Sequence, residues 1–128
     1  YLADMRGVER VTIVTDEEEL PYQRPRLSKA YLLGESDSRR LLHRQEKWYA
    51  DQDVSLVHDA AVAIDRAART VTLASGAALA YNHLVLATGA RNRALPIPGT
   101  DLEGVTGMRV KADADSLVSI GVFGNFAR

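Results

Sequence analysis

The chain has 128 residues, with 16 Lys and Arg against 17 Asp and Glu, 46% hydrophobic content and no cysteine. That length and apolar content suit one globular domain with an ordinary core, and the near-balanced charge supplies no broad field to gather nucleic acid or an anionic membrane. The lack of cysteine excludes disulfides, thiolate metal sites and a dithiol redox pair within these residues, and makes a cytoplasmic setting the expectation.

The first regular element is Val11 to Thr15, β-branched throughout, as suits a strand buried on both faces of a parallel sheet. Acidic residues follow at 16–19, then a loop with prolines at Pro21 and Pro25. Three cations, Arg24, Arg26 and Lys29, crowd the start of a segment, Leu27 to Leu33, whose apolar spacing predicts a short helix ended by Gly34. Gln45 to Asp51 predicts a second short helix, with Trp48 and Tyr49 packing it onto the domain. Ala61 to Asp65, Thr70 to Leu73 and Ala78 to Tyr81 are extended pieces separated by tight turns, the pattern of an antiparallel meander. His83 to Gly89 is an apolar run that predicts another buried strand, and it is too short to span a bilayer. Prolines and glycines mark a loop over 91–106, and Lys111 to Ser119 predicts a helix. There is no internal repeat, and His43, His58 and His83 share no metal-ligand spacing.

Two stretches in this order carry a resemblance. "LPYQRPRLSKAYLLG" at 20–34 is similar to a proline-tyrosine-x-arginine-proline-x-leucine-serine-lysine motif, and "YNHLVLATGARNR" at 81–93 is similar to a strand ending in Ala-Thr-Gly. Both belong to the FAD-binding domain of the pyridine-nucleotide disulfide oxidoreductase superfamily, in the branch of ferredoxin, rubredoxin and putidaredoxin reductases that also contains apoptosis-inducing factor. The resemblance covers about Arg10 to Val105. It implies an α/β fold: a partial Rossmann-like FAD-binding domain with a parallel sheet plus a three-stranded antiparallel meander. Residues 1–105 would form that domain, lacking the first strand and its G-x-G-x-x-G turn, with Tyr1 to Arg6 ending the helix that follows the turn. Residues 106–128 would be a connecting segment with a helix, the nicotinamide-binding domain being absent. The glycines of 119–128 are weakly like a second dinucleotide turn.

By itself a proline loop with cations is a solvated connector. The resemblance assigns more to it. FAD carries a doubly charged pyrophosphate, for which the planar fork of an Arg is suited, so Arg24 is expected at the pyrophosphate and Lys29 beside the flavin ring, where a cation stabilises the reduced form. Arg26 is expected in solvent. Asp16, directly after the strand, takes the position of the acid that binds ribose hydroxyls, although Glu17, Glu18 and Glu19 beside it also permit a plain acidic turn. Val62 stands where the family's main chain meets the adenine, though a valine in a strand is usually core. Thr88 and Gly89 end a strand at the ligand-binding edge, Gly allowing close approach, and Arg93 and Arg109 match arginines near FAD. No metal site and no catalytic side chain are expected. The resemblance implies a parent oxidoreductase that takes a hydride from NAD(P)H onto FAD and passes single electrons to an iron-sulfur protein of ferredoxin or rubredoxin type, with neither nucleic acid nor membrane as partner. A non-catalytic truncated fragment, or a cofactor-free binding module, is the alternative.

Overall fold

The β-branched run Val11–Thr15 forms strand β1, which pairs in parallel with β2, Val54–His58, in the register Val11 to Val54 through Thr15 to His58. A parallel pair needs a long crossover, and the whole proline loop with its following turns lies in that connection. The computed structural model describes residues 10–120, so the expected helix end at Tyr1 to Arg6 lies outside the described residues, as does most of the glycine segment 119–128. By its contacts the chain divides into two units, Tyr1–Pro21 with Arg44–Ala87, and Tyr22–His43 with Thr88–Arg128.

In the first unit, helix α1 (Glu46–Asp51) leads into β2 and buries Tyr49, while Trp48 meets the Tyr49 ring edge-on at 5.2 Å. Tyr49 therefore packs, as its sequence context predicts, whereas Trp48 is half-buried against Tyr49 and the Arg44 guanidinium. The strand β2 was not expected, although Val54 is buried and Val-Ser-Leu-Val has strand character. A three-stranded antiparallel sheet follows in the order β3 (Ala61–Asp65), β4 (Thr70–Leu73), β5 (Ala78–Ala80). Its turns are fixed by short side chains: Asp65 accepts from the amides of Ala67 and Ala68 at 2.9 and 2.8 Å, and Asp59 accepts from those of Ala60 and Ser75 at 2.7 and 3.2 Å. Hydrogen bonding from Ser75 is the chief cause that holds the Asp59 carboxyl below its ordinary range. The α/β reading, parallel sheet plus three-stranded meander, thus agrees with the structure.

Two expected elements need correction. His83 to Gly89 is not a buried strand: among the described residues nothing pairs with it, and Val85 and Leu86 are 65% and 67% exposed. An apolar run expresses a preference for burial, but a strand also needs a neighbour to satisfy its ladder, and among the described residues β1 and β2 pair only with each other.

Leu27 to Leu33 is the second. In place of an α-helix, a 3₁₀ turn at Arg24–Arg26 runs into a wide turn at Leu27–Tyr31, where the amide of Leu32 donates to the carbonyl of Leu27 at 3.1 Å and Lys29 takes the non-helical angles φ −128, ψ −116. Pro25, second in the 3₁₀ turn, suits its first turn because the amide it lacks would have no partner there. Leu27 is drawn into the core of the second unit with Tyr22, Leu41 and Ala114, the last from helix α2 (Lys111–Ser119), which occupies the predicted span. Among the described residues no helix is long and apolar enough to cross a membrane.

Candidate functional site

The second unit, which holds residues 22–34 and 88–93 of the two quoted stretches, brings these parts to one concavity. Tyr22 is bridged antiparallel to Leu42 and its ring is buried, so its hydroxyl is held in place, where it accepts the amide of Lys111 at 3.0 Å. Arg24, two residues on, lays its guanidinium 5.2 Å from the centre of that ring and donates through Nη1 to the Arg109 carbonyl at 3.0 Å and, more weakly, to the Tyr22 hydroxyl at 3.4 Å. The Arg109 main chain is fixed in turn. One oxygen of Asp113 accepts the amides of Arg109 and Val110 at 2.7 and 2.9 Å, the acidic half of a capping box at the start of α2. These bonds, Val110's first, hold the Asp113 carboxyl below the usual range against the opposing effect of burial.

Gly89 closes the other side. Its φ of +66 favours glycine, and a Cβ built there would stand 3.0 Å from Nη2 of Arg109, so the guanidinium lies against bare main chain. A Cβ on Gly107 would lie 2.4 Å from Nδ2 of Asn92, a second close approach of this kind. Between these segments is an open cavity of about 320 Å³ whose lining includes Arg24, Ser28, Arg91, Asn92, Met108 and Arg109 and, among the described residues, contains no acidic one. Three guanidinium-bearing residues around one hollow suit an anion with several oxygens. Beside it, Asp115 joins α2 to the wide turn by accepting from Tyr31 and from Lys111, the latter at 2.8 Å. Burial, then Asp115, raises the Tyr31 hydroxyl above its ordinary value. For Asp115 burial acts upward, but the bonds from Lys111 and Tyr31 outweigh it and the carboxyl is lowered.

Of the residues expected at a cofactor, Arg24 and Arg109 line this cavity, and Gly89 touches Arg109 with Thr88 adjacent. Lys29 and Arg93 are exposed and outside its lining. Arg26 is exposed, as anticipated, and donates to the Arg40 carbonyl at 3.1 Å. Asp16 and Val62 belong to the first unit. Asp16 is exposed directly after β1; Val62 is 62% exposed at a bulge where the register shifts between Ala61 and Ala63, and so is no core residue. Sequence reasoning missed Arg91, Asn92, Tyr22 and Asp113. An acid three residues after a helix start was a usable signal for Asp113; nothing local distinguished Arg91 from Arg93.

Comparison with known proteins identifies the family and the fold. Rhodocoxin reductase of Rhodococcus erythropolis is 46% identical over 110 residues, 85% of this chain and 26% of that protein. The crystal structure of the ferredoxin reductase for the CYP199A2 system of Rhodopseudomonas palustris superposes with a TM-score of 0.80 at 46% identity, covering 91% of this chain and 28% of that one. The reductase in a covalent putidaredoxin reductase–putidaredoxin complex gives 0.65 at 40% identity, over 70% of this chain and 22% of that one. The chain spans about a quarter of the length of the curated relatives it matches. The family model described as pyridine nucleotide-disulphide oxidoreductase matches residues 2–121, nearly the whole chain, and the chain belongs to that family.

Proposed function

We propose that this chain is the FAD-binding portion of an NAD(P)H-dependent reductase that passes electrons from a nicotinamide to a small iron-sulfur protein of ferredoxin or rubredoxin type. The observation that carries the reading is the meeting of Arg24 and Arg109, from distant parts of the sequence, beside Gly89 at one cavity whose lining has no acid among the described residues. This donor set fits the pyrophosphate of FAD: guanidinium forks for its oxygens, and a residue without a side chain where main chain and ligand approach closely. When bound, FAD supplies the capacity to take two electrons and release them one at a time.

Within the proposal each residue has a defined task. Arg24 and Arg109 hold the pyrophosphate, Arg93 adds positive charge near FAD, and Thr88 and Gly89 let the main chain approach. Asp16 accepts from ribose hydroxyls, the Val62 main chain meets the adenine, and Lys29 lies along the flavin ring. Residues 1–105 make up the partial FAD-binding domain and 106–128 the connecting segment, which lends Arg109 to the cofactor site. The electron acceptor is inferred from relatives whose names include rhodocoxin, ferredoxin and rubredoxin reductases, and from a reductase solved in complex with putidaredoxin. A cytoplasmic setting is proposed with it, on the cysteine-free sequence.

The test is made on the intact protein that carries these residues. Its mass per chain should exceed 14.0 kDa, and it should purify yellow with flavin absorbance that denaturation releases. A colourless protein that takes up no added FAD refutes the reading.

A further inference from the structure

We infer that Asp113 and Tyr22 are positioning residues that hold Arg24 at the cavity in the orientation an anionic cofactor requires; the inference rests on the FAD reading above. Arg24 is exposed, and an exposed arginine ordinarily samples many rotamers. This one is restrained on two sides. Its guanidinium stacks 5.2 Å over Tyr22 while Nη1 donates to the Arg109 carbonyl at 3.0 Å and the Tyr22 hydroxyl at 3.4 Å, which fixes both the position and the tilt of the planar fork.

Each restraint is anchored in turn. Tyr22 is 8% exposed, and its hydroxyl accepts the amide of Lys111 at 3.0 Å. Arg109's position depends on Asp113, whose single oxygen binds the amides of Arg109 and Val110. The acid therefore sets the start of α2, the start of α2 sets the Arg109 carbonyl, and the carbonyl sets Arg24. Because these two amides already donate to Asp113, they are not the groups that receive a ligand anion; the positive charge at the cavity comes from guanidinium groups. Ordering these groups before binding lowers the entropy lost when a ligand arrives.

The experiment is a double-mutant cycle on the intact protein, stripped of flavin and titrated with FAD by flavin fluorescence, with far-UV circular dichroism as the check on folding. Arg24→Met should weaken FAD binding at least about tenfold, the loss expected for a charge-assisted contact. Asp113→Ala and Tyr22→Phe should each weaken it roughly three- to tenfold, and in the Arg24→Met background should add less than about twofold, since they act through the missing group. Asp113→Asn, whose carbonyl oxygen can accept both amides, should stay within about twofold of wild type. Positioning is overturned if the Asp113→Ala and Tyr22→Phe effects multiply undiminished onto Arg24→Met, or if Asp113→Asn is as weak as Asp113→Ala. Should Asp113→Ala lose helical signal, the Tyr22→Phe cycle decides alone. Wild-type protein that binds no FAD overturns the proposed function itself, an outcome distinct from FAD binding with multiplicative effects.

Discussion

Replacing Gly89 by alanine separates two costs that the structure places on one residue. The first is conformational. At φ +66 an L-residue crowds its own carbonyl, for about 1–2 kcal/mol. The second is local: the new Cβ would stand 3.0 Å from Nη2 of Arg109. Because that atom ends a flexible side chain, the arginine can swing aside at little cost in stability, but in doing so it leaves its place at the cavity. Loss of one charge-assisted contact to a pyrophosphate is on the order of 1.5–3 kcal/mol, or about tenfold and upward in affinity. Gly76 provides the control, since its φ is +88 and nothing lies within 4 Å of a Cβ built there. Calorimetry of the intact protein should show both Gly89→Ala and Gly76→Ala melting a few °C lower, roughly as 1–2 kcal/mol implies, whereas fluorescence titration should show weakened FAD binding for Gly89→Ala alone. Equal FAD affinity in the two variants, or an unchanged melting temperature for Gly89→Ala, would refute the reasoning.

Lys29→Met keeps much of the stem's bulk and removes the charge, so if Lys29 lies beside the flavin, spectroelectrochemistry should find the two-electron potential lower by roughly 30–60 mV; Arg26→Met, exposed and bonded to the Arg40 carbonyl, should leave it unchanged, and an equal shift from both would mean that only summed charge matters. The Asp113 carboxyl is held low in the folded state, so its contribution is complete above its unfolded value of 3.8 and is lost as pH falls through the folded one. Denaturant titrations should therefore show wild type more stable than Asp113→Asn near pH 7, with the gap closing below about pH 4; a gap independent of pH would show that the carboxylate's charge contributes nothing.

What could be read from the sequence was what local chemistry decides. Val11 to Thr15 declared itself by β-branching, and the meander by turns whose Asp65 and Gly76 do in the structure what such residues do in any hairpin. Helix α2 matched its predicted bounds because Asp113 caps it and no proline interrupts it. Features set by long-range packing were harder to read. Whether Leu27 to Leu33 winds as an α-helix depends on how deeply Leu27 is drawn into the core and on the bond from Tyr31 to Asp115, a partner 84 residues away. The exposed run at 83–89 has the composition of a core strand, and composition does not report whether a neighbour is present to pair with it.

The same division runs through the candidate site. Arg24 and Arg109 were legible only through a resemblance, since their contact spans 85 residues and no local pattern links them. After Gly89 the main chain is irregular, so no period relates a residue's number to the side it faces. Arg91 and Arg93 are then equivalent on paper, and only the structure assigns Arg91 to the lining of the cavity. Charge at this site is therefore a property of main-chain path: a carbonyl placed by Asp113 aims one arginine, and a glycine without a side chain admits another. A substitution that preserves every cation yet moves that path should impair binding as surely as one that removes a cation. This is why Gly89 and Asp113, neither of them positively charged, test an anion site as directly as Arg24 does.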